Sequence, residues 1–78
     1  MNVDATLDTI GLYCPLPVML ATEKIKELAK GQILEVLADD PDSLEDIPHW
    51  CKTTGNKFLK VEKNEGNYRF YMRKEEVD

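Results

Sequence analysis

Gly11-Leu12-Tyr13-Cys14-Pro15-Leu16-Pro17 marks the point where an opening strand turns into a first helix. Proline is tolerated in a helix's first turn, where backbone N–H groups have no intrahelical partner. Two prolines spaced like Pro15 and Pro17 therefore place a helix start here. Cys14 is the natural N-cap candidate, with its sulfur facing the N–H groups of Leu16 and Val18. The positive end of the helix dipole favours a thiolate or persulfide anion there. Gly11 supplies the turn that leads into the cap.

Working outward, Val3, Ala5 and Leu7 alternate with Asp4, Thr6 and Asp8, the pattern of a strand with one buried face. The helix after Cys14 is expected over Pro15 to Ala29, burying Val18, Ala21, Ile25, Leu28 and Ala29. Glu23–Lys26 and Glu27–Lys30 are i,i+3 pairs, and Gly31 suits a C′ position. Ile33 to Ala38 is almost continuously apolar and reads as a central strand, with Leu34, Val36 and Ala38 facing the helices.

Asp39-Asp40-Pro41 ends that strand. A second helix runs to about Thr54, with Gly55 closing it and Ile47, Trp50, Cys51 and Thr54 as its buried stripe. Pro48 leaves two starts open: Asp46 as N-cap with Pro48 in the first turn, or a loose turn from Ser43. Phe58 to Lys63 is a third strand with Leu59 and Val61 inward. Asn64-Glu65-Gly66-Asn67 has the composition of a hairpin turn. Tyr68 to Lys74 is a fourth strand, with Tyr68, Phe70 and Met72 on one side and Arg69, Tyr71 and Arg73 on the other, and residues 75–78 should fray. The order βαβαββ, with right-handed crossovers, gives an α+β two-layer sandwich: a four-stranded mixed sheet with two helices on one face and the other face open.

The 78 residues read as one domain, 42% hydrophobic and 32% charged. Two cysteines are too few for a disulfide framework, and no signal peptide or membrane-length apolar run is present, so a cytoplasmic location is expected. A net charge of −5 argues against general nucleic-acid binding. The charge is uneven, however. Asp39, Asp40, Asp42, Glu45 and Asp46 cluster, whereas residues 52–74 are basic.

Cys14 is the residue set up for chemistry. A hydrolytic cysteine needs a base, but His49, the one histidine, reads as a solvated helix residue. No second cysteine lies close enough in sequence for a dithiol couple. A lone thiol of this kind suits accepting and passing on a sulfur atom. Cys51 reads as core, and a bond to Cys14 depends on a separation that the sequence does not fix. Zinc and calcium ligand spacings are absent. The acidic segment reads as helix capping and solvated charge, and lying near Cys14 it would raise the thiol pKa, opposing the helix. On the open face, Phe58, Lys60, Arg69, Tyr71 and Arg73 join Ile33 and Leu37. That mixture fits either ordinary cross-strand pairing or a platform for single-stranded RNA or a protein.

The sequence resembles the TusA/SirA/YedF-like family of small sulfur-carrier proteins. The likeness spans Leu7 to Lys74. It rests on Leu7-Asp8-x-x-Gly11-x-x-Cys14-Pro15-x-Pro17, Gly31, Asp39-Asp40-Pro41, Asp46-Ile47-Pro48-x-Trp50 and Gly55. The resemblance implies a βαβαββ sandwich in which Cys14 takes a persulfide sulfur from a cysteine desulfurase or rhodanese-like donor. Cys14 would then relay it to an acceptor protein, as in tRNA thiolation or cofactor biosynthesis, with no cofactor or metal of its own. It carries over Asp8, Gly11, Pro15 and Pro17 as framing residues and Asp39, Asp40 and Asp46 as supporting positions. Tyr13, Leu16 and Asn56 depart from the common family pattern. The competing reading is a regulatory or binding module that uses Lys60, Arg69, Tyr71 and Arg73, with Cys14 as a redox handle.

Overall fold

The computed structural model describes residues 2–75. The elements follow the order β1 (Ala5–Asp8), α1 (Leu16–Ile25), β2 (Ile33–Ala38), α2 (Ser43–Thr54), β3 (Lys57–Asn64) and β4 (Asn67–Arg73). The strands form one sheet in the order β1-β2-β4-β3. β1 and β2 are parallel, while β4 lies antiparallel between β2 and β3. The second crossover therefore leaves a gap that the final hairpin strand fills. Both crossovers step the same way across the sheet, and this sets the two helices on one face.

One core lies between that face and the helices. It joins Ala21 and Ile25 of α1, Ile47, Trp50 and Cys51 of α2, Leu34, Val36 and Ala38 of β2, and Phe70 and Met72 of β4. The period-two alternation of β2 and β4 supplies the sheet's half of it, as their sequences predict. Cys51 is fully enclosed, with its Sγ 4.0 Å from Met72 Sδ, and burial pushes its thiol up to about 12. Neither cysteine is in a disulfide.

Four local readings are corrected. First, α1 starts at Leu16, with Pro15 as N-cap and Pro17 in the first turn. Cys14 thus lies one residue outside the helix, because Pro15 O, not Cys14 O, accepts the first i→i−4 bond, from Met19 N–H at 3.0 Å. Second, α1 stops at Ile25 instead of Ala29. Glu27 N–H and Leu28 N–H turn back to Lys24 O and Ile25 O in a tightened end. That leaves Leu28 on the core and Ala29 exposed, and Glu27 pairs with Lys24 at 3.5 Å.

Third, α2 is continuous from Ser43, and Pro48 lies inside it. The burial of Ile47, Trp50 and Cys51 outweighs the one hydrogen bond that Pro48 cannot make. Fourth, Leu59 does not take the inward position on β3. A bulge between Phe58 and Lys60 inserts one residue, so Phe58 and Val61 pack on the core, and Phe58 leaves the open face.

The β3–β4 turn follows its sequence. Asn64 pairs with Asn67, and both loop residues have positive φ, 49° at Glu65 and 84° at Gly66. That is the two-residue hairpin whose twist matches the strands, and glycine takes its second position without strain.

Candidate functional site

The site is built where two loops meet at the C-terminal ends of the parallel strands β1 and β2. In the β1–α1 loop, Asp8 Oδ1 accepts Ile10 N–H at 2.9 Å and closes the first turn. Thr9 is fully buried, and its N–H donates to Leu37 O at 2.8 Å. In the β2–α2 loop, Asp39 Oδ1 accepts Gly11 N–H at 3.0 Å, and Gly11 sits at φ 84°, in the left-handed region. Asp40 Oδ2 accepts Cys14 N–H at 2.8 Å while its Oδ1 accepts Asp42 N–H at 3.1 Å. The acid pair after β2 therefore pins the cysteine loop through the backbone. The Cys14–Pro15 peptide is cis.

Asp40 is almost wholly buried, at 7% exposure. Asp40→Ala strips the acceptor from two N–H groups in that junction, an expected loss of about 1–3 kcal/mol. Urea unfolding of the variant should show it as a lowered midpoint.

Cys14 itself is exposed. Its thiol lies on an open groove of about 270 Å³ between α1 and α2, lined by Cys14, Pro15, Val18, Asp46, His49, Trp50 and Thr53. Trp50 forms part of the floor, and its Nε1–H donates to Thr22 Oγ1 on α1 at 2.9 Å, tying the two helices together. His49 is brought into the groove, with its Nε2 3.5 Å from Thr53 Oγ1. It lines the groove and stays solvent-exposed on α2, as the sequence reads it. Asp46, His49 and Thr53 fall at i, i+3 and i+7 on α2, a helical stripe that could have been read from spacing.

The expected thiolate-favouring setting is also corrected. The Cys14 thiol is pushed up to about 11, first by the Asp46 carboxylate that shares its groove. Desolvation and the negative charges of Asp46, Asp42 and Asp40 add to this. Standing outside the N-cap, Cys14 is governed by the carboxylates of α2 and its preceding loop. Asp8, Gly11, Asp39 and Asp40 thus act on the loop backbone, Asp46 on the thiol, and Pro17 is buried as a wedge at the base of α1.

The β1–α1 loop and α1, which carry Cys14 between them, also carry the large exposed apolar side chains: Ile10, Tyr13 at 72% exposure, Leu16, Met19 at 55%, and Leu20.

Part of the open sheet face is taken up by side-chain pairs within and across its strands. Tyr71 Oη donates to Glu35 Oε2 at 2.7 Å and lies 3.3 Å from Glu62 Oε1. Thr6 Oγ1 donates to Glu35 Oε1 at 3.0 Å. Lys60 Nζ pairs with Glu62 at 3.0 Å and covers the Tyr71 ring, 5.2 Å from its centroid. Arg73 pairs with Glu75. Tyr71 is therefore only 7% exposed, and a ring so covered offers no face for a base to stack on. Among the described residues, no helix is long and apolar enough to cross a membrane.

Comparison with known proteins bears on the whole fold. Residues 5–74 match the family model described as Sulfurtransferase TusA. The sulfur carrier protein TusA of Pseudomonas syringae pv. syringae is 39% identical over 74 residues, covering 95% of this chain and 88% of the relative. The protein of the same name from Pseudomonas entomophila is 44% identical over 71 residues, covering 91% and 89%. The crystal structure of a SirA-like protein from Desulfitobacterium hafniense superposes with a TM-score of 0.75 at 28% identity, covering 92% of this chain and 99% of that one.

Proposed function

Because the chain belongs to the TusA family of sulfurtransferases, we propose that it is a sulfur carrier that holds a sulfane sulfur as a persulfide on Cys14. In this reading it works in the cytoplasm between a donor protein and an acceptor protein. The donor is a cysteine desulfurase or a rhodanese-like protein, and the acceptor serves tRNA thiolation or cofactor biosynthesis. The observation that carries the reading is an exposed thiol on an open groove, on a loop-and-helix segment that also exposes Tyr13, Leu16, Met19 and Leu20. Apolar surface of that kind is what a protein partner covers, and a protein partner must bring its own sulfur to within bonding distance of Cys14. Asp8, Gly11, Pro15 and Pro17 frame the loop that presents the thiol.

The transfer is a single displacement at sulfur. Cys14 Sγ, as thiolate, attacks the outer sulfur of the donor's persulfide. A bond forms between Cys14 Sγ and that sulfur, and the donor's S–S bond breaks. Its electron pair leaves on the donor's cysteine sulfur, which takes up the proton released by Cys14. The moving sulfur keeps its oxidation state, so neither oxidant nor reductant is consumed. Release to the acceptor repeats the step with the roles exchanged.

The test is intact-mass spectrometry after incubation with a cysteine desulfurase, pyridoxal phosphate and cysteine. A gain of one sulfur that a reductant removes, mapped to the Cys14 peptide, is the expected result. No gain from desulfurase and rhodanese donors alike would overturn the reading.

A further inference from the structure

The groove sets a nucleophile against a negative charge. Asp46 lies on α2 one turn before Trp50 and is half-buried. Both groups line the same groove wall. From the β2–α2 loop, Asp40 and Asp42 add like charge. His49 is the other titratable group on the groove, held toward Thr53, and α1 and its N-cap bring only Val18 and Pro15. Among the described residues, neither Asp42 nor Asp46 forms an ion pair. The attack on a persulfide needs the thiolate, and this carboxylate opposes it.

We propose that Asp46 is a positioning residue that selects the sulfur donor by charge. A cationic group beside the donor's persulfide engages that carboxylate as the donor's sulfur meets Cys14. The inference rests on the carrier reading of Cys14. It assigns the donor a lysine or arginine next to its reactive cysteine, and it explains how an exposed thiol avoids unproductive exchange with anionic small disulfides. The cation removes the charge that destabilises the thiolate, and the released proton goes to the donor's departing sulfur, so the step stays balanced.

The test uses the full reduced chain and two aliphatic disulfides of similar size, the dication cystamine and the dianion 3,3′-dithiodipropionate. Mixed-disulfide formation is followed by mass at Cys14, with each reagent normalised to its rate with the neutral thiol 2-mercaptoethanol. At low ionic strength cystamine should react at least about tenfold faster, and most of that preference should vanish in about 0.5 M salt. Asp46→Asn should lose much of it and should also move the pH profile of alkylation by neutral iodoacetamide to lower pH. Asp46→Glu should keep both properties, which a merely structural role would not require. Asp42→Asn, farther down the order of influence, should lose less.

Equal normalised rates for the two reagents, or an unchanged preference and pH profile in a folded Asp46→Asn, would overturn the inference. Sulfur uptake from a desulfurase is read separately on the same samples. Uptake without charge preference removes this inference alone; charge preference without uptake removes the carrier reading and the inference with it.

Discussion

Cys14→Ser is expected to take up no sulfur from any persulfide donor while folding as the parent does. The two halves of that expectation have different physical origins. The loss is chemical: a serine hydroxyl has no accessible anion at neutral pH, and it cannot hold a sulfane sulfur as a persulfide. The retained fold is structural. The side chain is exposed, and the contact that fixes this residue uses its backbone, whose N–H donates to Asp40 at 2.8 Å. A serine keeps that bond. Stability should therefore stay within about 0.5 kcal/mol of the parent. Cys51 provides the internal control, because it is buried against Met72 and its thiol is raised to about 12 by burial. Intact mass of the variant after exposure to the donor checks the first half, and urea unfolding checks the second. Sulfur persisting on the variant would place the carrier site elsewhere.

The contrast between Asp40 and Asp46 explains what could be read from the chain and what could not. Their presence in a run of acids was visible, and so was their tendency to raise a nearby thiol pKa. Their division of labour was not. Asp40 spends its carboxylate on backbone N–H groups of two loops, while Asp46 faces sulfur, and that depends on how α2 packs beside α1. The same limit hid the place of His49 on the groove. Sequence assigns it a helix but not the helix's rotation, nor the reach of Trp50 to Thr22 across the gap between the helices.

Elements with strong local signals were legible. β2 is apolar almost throughout and central in the sheet, so its bounds and buried face follow from composition. The hairpin at Glu65-Gly66 follows from turn chemistry. Elements decided by tertiary packing were not. The end of α1 is set where Leu28 must turn onto the core, and the bulge in β3 exchanges Leu59 for Phe58. That exchange also removes an aromatic side chain from the open face, which leaves Tyr71, covered by Lys60, as the aromatic among the residues first assigned there. The open face is consequently the weaker candidate for recognition, and the thiol groove the stronger.

The second large effect is expected from Phe70→Ala, which should unfold the protein at denaturant concentrations the parent tolerates. Phe70 is fully buried on β4, between Val36 of β2 and Val61 of β3 in the ladder. Its ring tilts against Phe58 at 6.4 Å and Tyr68 at 6.3 Å, measured between ring centroids. Truncation removes the transfer free energy of the ring and leaves a void that a sheet interior collapses into poorly, a cost of about 3–5 kcal/mol. A domain of this length buries only a little over ~60% of its unfolded surface, and small domains sit near the low end of the ~5–15 kcal/mol range of native stability. One such void therefore removes much of the margin. With a urea slope of about 1–2 kcal/mol per molar, the midpoint should fall by about 1.5 M or more. Trp50, 7% exposed and fixed between the helices, gives the fluorescence signal that follows it. Phe70→Leu separates volume from shape: it keeps most of the apolar bulk and should cost about 1–1.5 kcal/mol. A small effect from Phe70→Ala would mean that the sheet and the helices can close over a missing ring. The groove holding Cys14, whose floor is the other end of the same α2 packing, would then be far more deformable than its contacts imply.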